Sequence, residues 1–184
     1  MKKIVYISII LLILSCKAQI ITLEDFEDYP TELPDGAYLK DVNNILGKYV
    51  GTWKGTYNNQ NYEFVVVKTT FENTTLKYKH DKLLIRYKIT NNSGTVLANT
   101  LNLPNGDKYI IRGSYLAKSG SYVLSYLGLN GKCGQNGTVF ISVYDVNNVK
   151  MKLFLEPYGE IYSECTTGYA GQILPTDWID LTKQ

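Results

Sequence analysis

The sequence predicts an all-β domain, read first as an antiparallel up-and-down barrel and second as a two-sheet sandwich. Three observations carry this. Apolar and polar residues alternate with a period of two along most of the chain, as strands with one buried face require. The composition favours strands, with 16 tyrosines among 184 residues and many Val, Ile and Thr besides. Asn-Gly and Asn-Asn pairs fall between the runs, where tight turns are needed.

The chain opens differently. Lys2 and Lys3 precede an apolar run from Ile4 to Leu14, closed by Ser15 and Cys16, which is the layout of a secretory signal. The run is too short to span a bilayer, which takes about 20 residues. Residues 1–15 are therefore expected to be a signal peptide absent from the mature protein. Their end, Ile13-Leu14-Ser15-Cys16, resembles the lipobox of bacterial lipoproteins. The resemblance implies that Cys16 is the lipidated first residue, with acyl chains that hold the protein to membrane lipid. In lipoproteins of Bacteroidota, acidic residues directly after that cysteine resemble a surface-export signal, whereas Lys17-Ala18-Gln19 stands there instead. The expected address is the cell envelope, at the outer membrane with the domain facing the periplasm; surface exposure stays open.

Residues 16–40 read as the lipidated cysteine followed by an acidic tether. Glu24, Asp25, Glu27, Asp28, Glu32 and Asp35 are interleaved with Pro30 and Pro34. Such a stretch is expected to bury little and to stay out of a sheet. Phe26 and Tyr29 are its candidates for docking onto the domain. Residues 41–184 are expected to form one barrel-like domain, with a single helical turn between Asp41 and Leu46.

Strands follow in order. Leu83, Ile85, Tyr87 and Ile89 alternate with Lys82, Arg86 and Lys88, and Tyr109, Ile111, Gly113 and Tyr115 alternate with Lys108, Arg112 and Ser114. Residues 62–68, 95–101, 122–127, 138–144 and 149–155 read likewise. Asn58-Asn59, Asn91 to Gly94, Asn105-Gly106 and Asn147-Asn148 mark the turns. So many consecutive antiparallel strands must close or stack to hide their edges.

In the segment around Asn44 to Lys54, strand geometry puts Tyr49, Gly51, Trp53, Gly55 and Tyr57 on one face. The glycines permit tight curvature or the close approach of another segment, and Trp53 plugs one end of the interior. Gly51 and Trp53 resemble the Gly-x-Trp first-strand motif of lipocalins and their calycin relatives, which implies a structural role for both. The arginine that lipocalins place over this tryptophan has no counterpart in Trp178 to Lys183. A wider resemblance rests on Cys16-Lys17-Ala18-Gln19, Asp35-Gly36-Ala37-Tyr38-x-Lys40-Asp41-x-Asn43-Asn44, Val50-Gly51-Thr52-Trp53 and the ending from Pro175 to Lys183. Together these look like an uncharacterised, domain-of-unknown-function family of small Bacteroidota lipoproteins.

Cys133 and Cys165, in an oxidising compartment, are expected to pair. The bridge would close roughly 30 residues and restrict the unfolded chain by about 3 to 4 kcal/mol. His80 stands among Lys77, Lys79 and Lys82 and reads as a solvated turn histidine. Glu156, Glu160 and Glu164 read as exposed carboxylates around Pro157 and Gly159. No catalytic set, metal site or cofactor motif can be assembled, so an enzyme is not expected. The formal charge of +2 includes Lys2 and Lys3, which leaves a nearly neutral mature chain with no nucleic-acid signature. The expected function is binding of an apolar or amphipathic small molecule in the barrel interior or mouth. Tyr49, Tyr57, Ile85, Tyr87, Tyr109, Ile111 and Tyr115 are the candidate lining. The alternative is an envelope protein-interaction module with a filled core, with a hydrolase third, and the oligomeric state is left open.

Overall fold

A computed structural model describes residues 19–29 and 32–184, so the expected signal peptide and the expected lipidation site at Cys16 lie outside the described residues. Eleven strands follow in chain order: β1 (Ile20–Thr22), β2 (Tyr38–Lys40), β3 (Gly51–Tyr57), β4 (Gln60–Asn73), β5 (Tyr78–Asn91), β6 (Val96–Asn99), β7 (Ile111–Leu116), β8 (Tyr122–Leu127), β9 (Asn136–Val143), β10 (Lys150–Pro157) and β11 (Ile179–Lys183). Short 3-10 turns occupy Phe26–Asp28 and Ile45–Tyr49. Among the described residues no helix is long and apolar enough to cross a membrane.

Eight of the strands close on themselves in the order β3-β4-β5-β7-β8-β9-β10-β11, each antiparallel to the next, and β11 returns to β3. This is the up-and-down barrel that the alternation implied. Two joins are narrow: β5 meets β7 through Leu84↔Arg112 and Ile85↔Ile111, and β11 meets β3 through Thr182↔Lys54 and Lys183↔Trp53. By contrast β4 and β5 pair along their whole length, from Gln60↔Asn91 to Asn73↔Tyr78, and run past the barrel wall at one end. The other edge of β5 is shared by β2, β7 and β6 in succession.

Side chains fill the interior. Trp53, Phe64 and Tyr87 lie in cross-strand register and are fully buried, as are Tyr122, Ile141 and Leu153. Eight strands enclose a space just wide enough for such layers. The room that Gly113 leaves is taken by the Tyr122 hydroxyl. Gly55 serves close approach instead, since a Cβ there would stand 2.6 Å from the Asp180 carbonyl of β11. Trp53 donates its indole N–H to the Tyr49 carbonyl at 2.7 Å, and the Lys183 ammonium lies 5.1 Å from its ring centroid. A lysine thus packs over the tryptophan on the last strand, where the lipocalin pattern has arginine.

Three expectations need correction. The stretch expected to be a tether joins the domain: β1 and β2 add parallel strands beside β5, and Ile21, Leu23, Ala37 and Leu39 are buried in the core. Four apolar residues, two before the acidic run and two after it, supply the burial that its average composition conceals. The domain therefore begins by Ile20, and Phe26 and Tyr29 pack against it as half-buried side chains. Tyr115 faces outward, because a bulge between Gly113 and Tyr115 inverts the alternation and pairs Tyr115 with Val123 on the outer face. Tyr109 precedes β7 and is only half-buried, the buried position passing to Ile110.

Candidate functional site

The barrel ends differ. At one, residues 158–178 form a strap. The Cys133–Cys165 disulfide, with Cα atoms 5.1 Å apart, ties it to the β8–β9 loop. Backbone bonds reinforce it: Tyr162 donates to the Lys132 carbonyl at 2.9 Å and Ala170 to that of Cys133 at 2.7 Å. The Tyr62 hydroxyl, the Gln135 amide and the Gln172 amide bond backbone carbonyls across the same junction. Beneath it the Tyr87 and Tyr126 hydroxyls are buried without partners. Burial pushes Tyr87 up to about 12 and raises Tyr126 further, so both stay protonated.

At the other end the arm, residues 19–29 and 32–40, lies over the turn end of the β4–β5 hairpin. The Asn73 side chain accepts the backbone N–H groups of Thr75 and Leu76 at 3.1 and 2.8 Å, and Lys77 takes a left-handed conformation with φ of 49°. This tight tip turns Leu76 outward, leaving it 61% exposed. Gly36 donates to the Lys77 carbonyl at 2.6 Å and Lys79 to that of Ala37 at 2.8 Å. Arm and hairpin stay apart above these bonds and enclose a cleft of about 640 Å³. Phe26, Glu32, Leu33 and Asp35 line it from the arm, Thr75, Leu76 and Tyr78 from the hairpin, with Leu39, His80 and Ser114 between.

His80 is not the solvated turn residue that its lysine neighbours suggested. It lies within β5 under the arm, 6% exposed, with its ring centroid 6.2 Å from that of Phe26. Its Nε2 is buried and has no hydrogen-bond partner. Burial first, and then the Lys82 charge, push its pKa down to about 4 against the pull of Asp81, so the ring is neutral at neutral pH. Asp81 does not orient it. The Asp81 carboxylate accepts from Thr70 at 2.6 Å, Tyr38 at 2.8 Å and the Asp41 backbone N–H at 3.1 Å. Burial alone would raise its pKa, but these bonds outweigh it and hold the group below the ordinary value. Asp41 in turn accepts the N–H groups of Ile45 and Leu46 and pairs with Lys68 at 3.0 Å, which fixes the 3-10 turn beneath the arm.

Of the expected lining, Tyr49, Ile85, Tyr87 and Ile111 are packed inside the barrel. Tyr57 is half-buried at the strap end, where it donates to Asp177 at 2.6 Å. None of these seven residues lines the cleft. Leu33, Leu39, Leu76 and Tyr78, which do, sit in stretches where neither composition nor period marks a site. Their only local signal is isolated apolar residues in polar surroundings.

Residues 1–172 match a family of unknown function, DUF6705. The chain belongs to that family. No curated protein and no solved structure matches it. The DUF6705 match takes in the arm, the barrel through β10 and most of the strap, and so every residue of the cleft. Elsewhere on this DUF6705 domain, Phe140 stacks on Phe154 with centroids 5.0 Å apart, and Trp178 lies tilted against Phe154 at 4.3 Å. Among the described residues no group of three or more His, Cys, Asp or Glu is placed to hold a metal. The cleft can enclose an apolar group, with the His80 imidazole as a neutral polar group in its wall.

Proposed function

We propose that this DUF6705 protein is a lipid-anchored envelope protein that binds an apolar or amphipathic small molecule, and that it is not an enzyme. The ligand site is the arm-end cleft at the barrel mouth, since packed side chains occupy the interior. The observation that carries this reading is a cleft of about 640 Å³ with half of its lining residues apolar and with His80, whose buried Nε2 has no hydrogen-bond partner, among the rest. Its size falls within the roughly 300 to 1,000 Å³ common for small-molecule sites. An unpaired buried polar atom costs about 1 to 3 kcal/mol, which a ligand's hydrogen bond would offset. Binding rather than catalysis is supported by the commitment of Asp81 to Tyr38 and Thr70, which leaves His80 without an orienting carboxylate. Anchoring is supported by the basic, apolar and small-residue order that ends at Cys16.

Titration with an environment-sensitive apolar probe tests the site. Saturable micromolar binding is expected, weakened tenfold or more by Leu76→Ser or Phe26→Ser and unchanged by Tyr115→Ser on the outer face. Absence of saturable binding would reject it. Cys16→Ser should abolish fatty-acid labelling and membrane retention together. The second reading, a protein-interaction module, draws on the Phe140–Phe154–Trp178 cluster, with Trp178 exposed and the two phenylalanines half-buried, and gains if the apolar probe protects that cluster rather than the cleft.

A further inference from the structure

We infer that the arm-end cleft faces the membrane and takes from it the acyl chain of an amphiphile whose head is uncharged or cationic. This rests on the cleft as ligand site and on Cys16 as anchor. Ile20 is four steps along the chain from Cys16, a reach of at most about 14 Å when fully extended. Ile20 pairs with Tyr38, and Tyr38 pairs with Lys79 in turn, so the first described strand is joined through β2 to the turn end of the hairpin that walls the cleft. The strap end is out of reach of that anchor. β10 alone, with eight residues, spans roughly 26 Å between the two ends, about twice the available chain. An acylated Cys16 thus holds the arm end against the lipid, and Leu76, exposed at the hairpin tip, crowns the rim of the cleft on that side.

The lining selects the head group. Among the described residues Glu32 and Asp35 are its charged lining, with no lysine or arginine beside them. Lys77 neutralises Asp35 at 2.6 Å, which leaves Glu32 to meet the head. A free carboxylate there would face like charge, whereas an amine or a glyceryl head would not. The acyl chain has apolar partners in Phe26, Leu33, Leu39, Leu76 and Tyr78.

Two measurements on the acylated full-length mature protein separate the site from its orientation. In detergent solution, monooleoylglycerol and oleylamine are expected to bind at least tenfold more tightly than oleate, with Glu32→Gln narrowing the gap. In phosphatidylcholine vesicles doped with a diazirine-acyl phosphatidylethanolamine, photolabelling is expected on residues 19–29 and 73–80, reduced by Leu76→Ser but not by Tyr115→Ser. Binding in detergent with labels on the strap, or on none of the protein, would overturn the membrane-facing orientation and leave the cleft as a ligand site. Oleate binding as tight as that of oleylamine would overturn the head-group assignment. No binding in detergent and no labelling would remove both the inference and the site on which it rests.

Discussion

At the strap end the closing segment is held by a covalent bond between Cys133 and Cys165 and by backbone hydrogen bonds. At the arm end two three-residue parallel strands, a few buried apolar side chains and the Asp81 and Asp41 hydrogen bonds hold the closing segment, with no disulfide to it among the described residues. The strap's link is indifferent to protonation. The arm lies over a histidine that must stay neutral and is anchored through a carboxylate that must stay ionised. The arm end is therefore the one that solution conditions can loosen, and it is the end that carries the cleft.

The largest expected effect breaks the strap. Replacing Cys133 and Cys165 by serine frees a segment with a sequence separation of 32 and should lower stability by about 3 to 4 kcal/mol. Urea unfolding measures this, and probe binding at the far end should not change. Unaltered stability would mean that the hydrogen bonds alone secure the strap.

Acid should act on the opposite end. His80 has a folded pKa of about 4 against 6.5 for the free side chain. Its burial as a neutral ring is fully tolerated above pH 6.5, and stability is lost as the pH falls from there towards 4, where only the unfolded chain takes up the proton. The loss should be about 3 kcal/mol at most. Urea midpoints from pH 7 to 4 would show the slope, and His80→Phe should flatten it. Hydrogen exchange at pH 5 should open β1 and β2 before the strap; simultaneous opening would erase the distinction between the ends.

The smallest effect concerns Asp81. Asp81→Asn replaces an acceptor of three hydrogen bonds by a group with one acceptor oxygen, and should cost about 1 to 3 kcal/mol at neutral pH. The folded pKa of Asp81 is depressed, so its contribution is present above its ordinary value of 3.8 and lost as the pH falls through the folded value. The variant should lack that acid limb while keeping the His80 slope. Thermal melts at pH 7 and pH 3 would separate the two.

Much of the barrel was legible because strand alternation is local. Tyr122 to Leu127 was bounded to the residue, and Leu83 to Ile89 lies within a longer strand with the faces assigned correctly. Tyr115 was misassigned because one extra residue at Ser114 shifts the period, and a bulge depends on the partner strand. The arm was missed because three-residue parallel strands carry too few positions to show a period. The acidic residues around Leu23 and Leu39 set the average that composition reports.

The sequence by itself determined that the chain is all-β, that its strands succeed one another as an up-and-down meander, and that two cysteines remain to pair. These follow from side-chain spacing and residue inventory, which are properties of the chain alone. Only the tertiary structure decided that Trp53 and the interior tyrosines close-pack, that the arm folds back along β5, and that Phe26, Leu76 and His80 meet across a cleft. Those outcomes depend on which distant segments come into contact, and burial, desolvation and the loss of a hydrogen-bond partner exist only once they do.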